Sequence, residues 1–346
     1  MARIIGPGYS YDDVLIVPKY NRVASRKDVS FKTKVTTNHY IDIPFLVANM
    51  DTVCESEMAI VIGRLGGLGV LHRFMSIKDQ AKQVAKVKKE NLLTAAAIGI
   101  KDYEERIIAL KKAGVDILVL DVAHGHSKRV GKTLDYIKEN YPEIDVMVGN
   151  IATKDAAEYF ISKKADAIKI GIGPGSMCIT RIMAGAGVPQ ITAIMDVYAA
   201  TQGQVPICAD GGIKISGDIT KAIGAGADTV MLGSLFSGTK ETPGKIIKKK
   251  GKKYKEYRGM ASYLATIKKM ALDGKKKEEV VHVEGEVTLV EYKGSVIPIV
   301  NKLLGGLASG MTYVGAENIN KLKGKADFIN ITGAGIKESI AHGLLK

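Results

Sequence analysis

The 346-residue sequence has no tryptophan, and aromatic residues make up only 6% of it. Surfaces that grip single-stranded nucleic acid interleave aromatic platforms with basic side chains. The lysine runs Lys248-Lys249-Lys250, Lys252-Lys253 and Lys275-Lys276-Lys277 carry no such interleaving. The net charge of +14 therefore reads as a solvated surface that also steers anionic substrates, with no nucleic-acid partner expected. No run of about 18 apolar residues occurs, so no membrane span is expected. The start, Met1-Ala2-Arg3-Ile4-Ile5, lacks the apolar stretch of a secretory signal. Cysteine is scarce: Cys54, Cys178 and Cys208 are odd in number, far apart and form no Cys-x-x-Cys pair. That excludes a disulfide scaffold and a structural zinc site, and points to the reducing cytoplasm. No Gly-x-Gly-x-x-Gly follows a first strand, so a Rossmann cofactor site is not implied.

Glycine, by contrast, is plentiful at 38 residues, and its densest cluster is informative. Residues 171–181 read Gly-Ile-Gly-Pro-Gly-Ser-Met-Cys-Ile-Thr-Arg, directly after the apolar run Ala167-Ile168-Lys169-Ile170. Such a loop can continue neither strand nor helix, and it leaves backbone amides and carbonyls bare. Amides suit a phosphate and carbonyls a monovalent cation. Cys178 among those dipoles is a candidate nucleophile. On composition alone the loop reads equally well as a strand-to-helix turn around a buried cysteine. Cys54 and Cys208 read as small buried residues.

Eight apolar runs alternate with amphipathic stretches: residues 45–50, 68–73, 94–99, 117–123, 145–151, 167–173, 205–211 and 229–235. Helical periodicity marks residues 103–113, 130–139 and 154–163 between them. Continuous apolar strands alternating with helices predict a parallel sheet buried on both faces, and eight units predict an α/β (β/α)8 TIM barrel. The C-terminal ends of the runs bring Asn49 and Asp51, His72 and Arg73, Asp121 and His124, Asn150, the cysteine loop, Asp210 to Gly212, and Gly233 with Ser234. In this architecture the active site lies on that face. Residues 1–44 form an N-terminal lead-in, and residues 239–294 a flap insertion after the last strand, all within one catalytic domain spanning 1–346.

Five motifs then carry a resemblance. They are Asn49-Met50-Asp51-Thr52-Val53, Asp121-Val122-Ala123-His124-Gly125-His126-Ser127, the cysteine loop, Ala209-Asp210-Gly211-Gly212 and Tyr257-Arg258-Gly259-Met260. In this order, over residues 11–342, the chain resembles the IMP dehydrogenase/GMP reductase family. The resemblance implies that Cys178 attacks purine C2, with Thr180 and Glu284 as proton relay. It implies that Ser176, Gly212, Gly233 and Ser234 hold the 5′-phosphate, that Asp210 accepts the ribose hydroxyls, that Gly259 and Met260 hydrogen-bond the base, and that Gly211, Tyr257 and Gly285 are further substrate contacts. Asp121, Val122 and Ala123 would meet the nicotinamide cofactor. Arg73, Ser25, Arg26 (from a neighbouring subunit), Ser309, Gly310, Met311 and Thr312 are further cofactor contacts by the same similarity. Carbonyls of Gly173, Gly175 and Cys178 match the family's monovalent-cation position, which points to K+. A homotetramer is implied.

The two family activities share the cysteine adduct and then diverge. The dehydrogenase hydrolyses it with an Arg-Tyr pair on the flap; the reductase expels ammonia and has no use for that arginine. No arginine follows Arg258, and a lysine does not replace a fixed guanidinium. Asn49, Ser25-Arg26 and Thr312-Tyr313-Val314-Gly315-Ala316 resemble reductases. Tyr257-Arg258-Gly259-Met260, Gly187-Val188-Pro189-Gln190-Ile191-Thr192, His124-Gly125-His126 and Ile331-Thr332-Gly333-Ala334-Gly335 resemble bacterial dehydrogenases. The regulatory insert common in dehydrogenases is missing, since Lys88-Lys89-Glu90 leads almost straight into the next strand. The expected activity is reduction of GMP by NADPH. The alternatives are IMP dehydrogenase with NAD and a silent purine-nucleotide binder.

Overall fold

The computed structural model describes residues 2–272 and 283–341. The lead-in carries β1 (Val14–Ile16), β2 (Thr33–Lys34) and β3 (Tyr40–Ile41). Eight parallel strands follow: β4 (Phe45–Val47), β5 (Leu68–Leu71), β6 (Ala95–Ile98), β7 (Ile117–Asp121), β8 (Asp145–Ile151), β9 (Ala167–Ile170), β10 (Ile207–Asp210) and β11 (Thr229–Leu232). They close into a barrel in sequence order, β11 pairing back onto β4. This is the (β/α)8 fold expected from the alternation of runs. The strands stop earlier than several of the apolar runs, because the polar residues at their ends leave the ladder to face the cleft.

Side-chain alternation sorts the core into two clusters. Leu46, Leu68, Val70, Ala95, Ala97, Ile117, Val119, Met147, Ala167, Cys208 and Met231 fill the barrel interior. The opposite faces of the same strands, such as Phe45, Val47, Leu118, Leu120, Val146 and Ile168, pack outward with the helices. Full burial of each large apolar side chain stabilises by about 1.5–3 kcal/mol.

The surrounding helices include α1 (Ser56–Arg64), α2 (Ile77–Lys88), α3 (Tyr103–Lys112), α4 (Lys128–Asn140), α5 (Lys154–Ser162), the single turn α6 (Thr180–Met183), α7 (Gln190–Thr201) and α8 (Ser216–Ala225). Local signals start them: the Ser76, Ser127 and Thr153 hydroxyls accept from the backbone amides of Asp79, Val130 and Ala156. No helix among the described residues is long and apolar enough to cross a membrane.

The β2–β3 hairpin plugs the N-terminal end of the barrel, with Val35 and Ile41 joining the interior cluster. There Asp145 accepts from Thr36 Oγ1 at 2.5 Å and Asn38 Nδ2 at 2.7 Å, and pairs with His39 Nδ1 at 2.9 Å. Burial works to raise the Asp145 pKa, but the bonds from His39, Thr36 and Asn38 outweigh it and bring it down to about 2.

At the other end, β12 (Ile247–Lys249), β13 (Lys252–Arg258) and β14 (Val287–Glu291) form an antiparallel sheet, with α9 (Tyr263–Leu272) following β13. The described part of the flap is thus built structure over the barrel mouth; Lys275-Lys276-Lys277 lies outside the described residues. The long helix α10 (Ile297–Tyr313) packs on α8, and β15 (Phe328–Asn330) pairs antiparallel with β1.

Candidate active site

Loops after the barrel strands and the flap enclose a cleft of about 500 Å³ at the C-terminal end of the barrel. At one side of it lies the cysteine loop. The Cys178 amide bonds to the Gly175 carbonyl at 3.0 Å, which draws the loop into a tight turn. The Arg181 guanidinium holds that turn from behind, through Nη2 to the Val188 carbonyl at 2.6 Å and Nε to that of Ile172 at 3.4 Å. Arg181 was not among the expected site residues. It occupies the space that side chains at Gly173 and Gly187 would need.

The flap supplies the other half. The Ile179 amide bonds to the Glu284 carbonyl, and the Glu286 amide to the Met177 carbonyl, both at 3.0 Å. This short two-stranded contact fixes the Glu284 side chain over the loop. The Thr180 hydroxyl donates to Glu284 Oε2 at 2.7 Å, and Cys178 Sγ lies 3.1 Å from Thr180 Oγ1. Thr180 has one hydroxyl proton, and the carboxylate takes it. The thiol is therefore the donor toward Thr180, and a proton path runs from sulfur through hydroxyl to carboxylate.

Opposite lies a concave patch of small residues. Gly211 and Gly212 adopt φ of +94° and +83°, which L side chains rarely reach. A Cβ on Gly211 would also lie 3.0 Å from the Gly175 amide nitrogen, so the two loops approach closely there. The Ser176 and Tyr257 hydroxyls are 3.1 Å apart. Burial raises the Tyr257 pKa, so the phenol stays protonated and can donate. Gly233, Ser234, Gly259, Met260 and Gly285 complete this half of the lining.

The far half is electrostatic. Asp121 accepts from Asn49 Nδ2 at 3.0 Å and from Lys169 Nζ at 2.8 Å. Asp210 accepts from the same Lys169 ammonium and from Asn150 Nδ2, each at 2.9 Å. Arg73 reaches the Asp121 carbonyl at 3.4 Å, with its Nε buried and without a partner among the described residues. Val122, Ala123 and Lys101 border this region.

The cleft thus gathers Cys178, Thr180, Glu284, the glycines and serines expected at a phosphate, the residues expected at a base, Asp210, Asp121, Val122, Ala123, Arg73, Gly173 and Gly175. It leaves out Ser25, Arg26 and residues 309–312. The Arg26–Asp28 turn packs on α10, where Met311 is fully buried and Gly310 closes onto Thr220 of α8. Lys169 and Lys101 were missed. A lone charge inside the apolar run 167–170 was the available signal for Lys169.

Cys54 and Cys208 are fully buried. Burial pushes the Cys208 thiol up to about 12 and raises Cys54 as well, so both remain thiols. Arg258 does not face the cleft. Its Nε bonds Asp51 Oδ1 at 3.0 Å, its Nη2 pairs with the other Asp51 oxygen, and Nη1 pairs with Glu256 at 2.5 Å.

Comparison with known proteins agrees with this architecture. The family described as IMP dehydrogenase/GMP reductase domain matches residues 8–342. The inosine-5′-monophosphate dehydrogenase of Borreliella burgdorferi is 42% identical over 98% of both chains. The GMP reductase of Leishmania major is 34% identical over 98% of this chain and 97% of its own. The crystal structure of a Trypanosoma brucei GMP reductase variant in complex with guanosine 5′-monophosphate superimposes with a TM-score of 0.93 at 33% identity, covering 99% of each chain. The chain belongs to the IMP dehydrogenase/GMP reductase family, whose members are oxidoreductases acting on purine nucleotides.

Proposed function

We propose that the protein is a GMP reductase, converting GMP, NADPH and two protons to IMP, ammonium and NADP+. Cys178 adds to purine C2 as its proton passes to Thr180 and on to Glu284. The same path returns a proton to the leaving C2 amino group, and ammonia departs to leave a thioimidate at C2. Asp121, Val122, Ala123 and Arg73 would hold the nicotinamide cofactor, which would supply a hydride to that carbon. The C–S bond then breaks, and Cys178 leaves as thiolate.

The substrate's 5′-phosphate would lie against Ser176, Gly211, Gly212, Gly233 and Ser234, the ribose on Asp210, and the base against Gly259, Met260 and Gly285. The T. brucei GMP reductase, solved with guanosine 5′-monophosphate, supports a nucleotide of this class. Asp121, Val122, Ala123 and Arg73 border the space left for the cofactor; Ser25 and Arg26 would reach a cofactor only in a neighbouring subunit of a homotetramer. Carbonyls of Gly173, Gly175 and Cys178 belong to one tight turn and would offer oxygen ligands to K+. Omitting monovalent cations should then lower turnover and restoring K+ recover it.

The observation that carries the choice of reductase is the commitment of Arg258. It is the last arginine in the sequence, and it is locked to Asp51 and Glu256 away from the cleft. No guanidinium is left on the flap to activate water. The second reading, IMP dehydrogenase, draws on the relatives of that name at 42% and 37% identity. Product analysis separates them: IMP and ammonium should form in equal amount to the NADPH consumed. XMP and NADH from IMP and NAD would overturn the proposal.

A further inference from the structure

Lys169 rises from β9 inside the barrel, one layer above Ala167, and is 1% exposed. Its Nζ lies 2.8 Å from Asp121 Oδ1 and 2.9 Å from Asp210 Oδ2, and it also contacts Asn150 Oδ1. One ammonium therefore bonds the carboxylates that end β7 and β10. Asp121 has both oxygens engaged, by Lys169 and Asn49. Asp210 spends Oδ2 on both Lys169 and Asn150, which leaves Oδ1 for a ligand in the cleft.

We infer that Lys169 is a positioning residue that keeps the nucleotide-side and cofactor-side carboxylates ionised and aligned in one cleft. The inference rests on the proposed function for the roles of Asp210 and Asp121. Two carboxylates facing one partly dry space repel each other, and without a shared cation one of them takes up a proton. The other groups facing them do not replace Lys169. Arg73 acts on Asp121, while Tyr11, Cys208 and Tyr257 lie near Asp210 and are held neutral by burial. Asp210 has no other ion-pair partner among the described residues. Burial opposes the charge on Lys169, yet Asp121 and Asp210 outweigh it and hold the pKa above the usual lysine range. Burial likewise works to raise Asp121, and Lys169 and Arg73 reverse it.

The test is GMP binding by calorimetry, without cofactor, from pH 6 to pH 8. The ratio of variant to parent Kd cancels the ionisation of the nucleotide's own phosphate. Lys169→Met should weaken binding more at the acid end than at the alkaline end, by up to about tenfold, because an aspartate that shares a dry space with a second carboxylate and has lost their common cation takes up a proton as pH falls. Should Lys169→Met alone not fold, the comparison becomes Asp121→Asn against Asp121→Asn/Lys169→Met, in which repulsion between the carboxylates is gone. The single variant should bind GMP with the wild-type pH profile, and the double variant should lose affinity as pH falls, because burial alone then opposes the charge on Asp210 with no cation beside it. A Kd ratio that is the same at every pH overturns the role of Lys169, since a packing role moves affinity uniformly. Failure of the wild type to bind GMP would instead overturn the proposed function.

Discussion

Glu284→Gln isolates proton transfer from shape. The amide oxygen still accepts the Thr180 hydroxyl bond, now 2.7 Å, but the side chain no longer takes up a proton. The path from Cys178 Sγ, 3.1 Å from Thr180, then ends without a base, and no proton returns to the leaving amine. Acid–base groups of this kind contribute about 10²–10⁴-fold, or roughly 3–5 kcal/mol of barrier. Single-turnover oxidation of NADPH with saturating GMP should therefore slow by about that factor. Glu284 bonds Thr180 rather than the residues proposed to hold the phosphate, so GMP affinity by titration should change no more than about twofold. Turnover within about threefold of wild type would refute the relay. A loss appearing wholly as weaker GMP binding would refute it too, because it would make Glu284 a substrate contact.

Further outcomes follow from the same geometry. Cys178→Ala should abolish turnover while GMP still binds in a calorimeter; retained turnover removes the adduct from the reaction. Gly211→Ala meets both a left-handed φ and the Gly175 amide at 3.0 Å. It should raise the GMP dissociation constant by at least about tenfold, or roughly 1.4 kcal/mol, and an unchanged constant would show that the two loops do not share a phosphate site. At the barrel floor, Asp145 has its pKa lowered from 3.8 to about 2, and its side chain is 3% exposed. That shift stabilises the fold by about 2 kcal/mol above pH 4, lost as pH falls toward 2. The bond to Asp145 raises His39 above its ordinary 6.5, so its contribution is full below that value and fades as pH rises through the folded pKa. Asp145→Asn should flatten both limbs in denaturant titrations at varied pH; unchanged limbs would contradict the pairing.

The barrel was legible because parallel strands buried on both faces leave continuous apolar runs, and eight of these do not need tertiary knowledge to count. Their ends were read too long where polar residues such as Asn49 and Arg73 follow without a turn signal. Most of the cleft was legible because its chemistry sits in short motifs at strand ends. Lys169 was not, since a single charge in Ala167-Ile168-Lys169-Ile170 looks like an imperfect strand until β7 and β10 are brought beside it. The pairing of β1 with β15 links segments some three hundred residues apart, which no local pattern encodes. The commitment of Arg258 is of the same kind: the sequence shows an arginine after a tyrosine, and only the fold shows Asp51 waiting for it.

The fate of the Cys178 adduct separates the two activities, and a paired steady-state assay distinguishes them. One sample of purified protein is given GMP with NADPH and another IMP with NAD, in the same K+ buffer, and nicotinamide absorbance is followed. NADPH absorbance should fall in the first sample, and absorbance should stay unchanged in the second. Growth of NADH absorbance with IMP would contradict the reductase assignment.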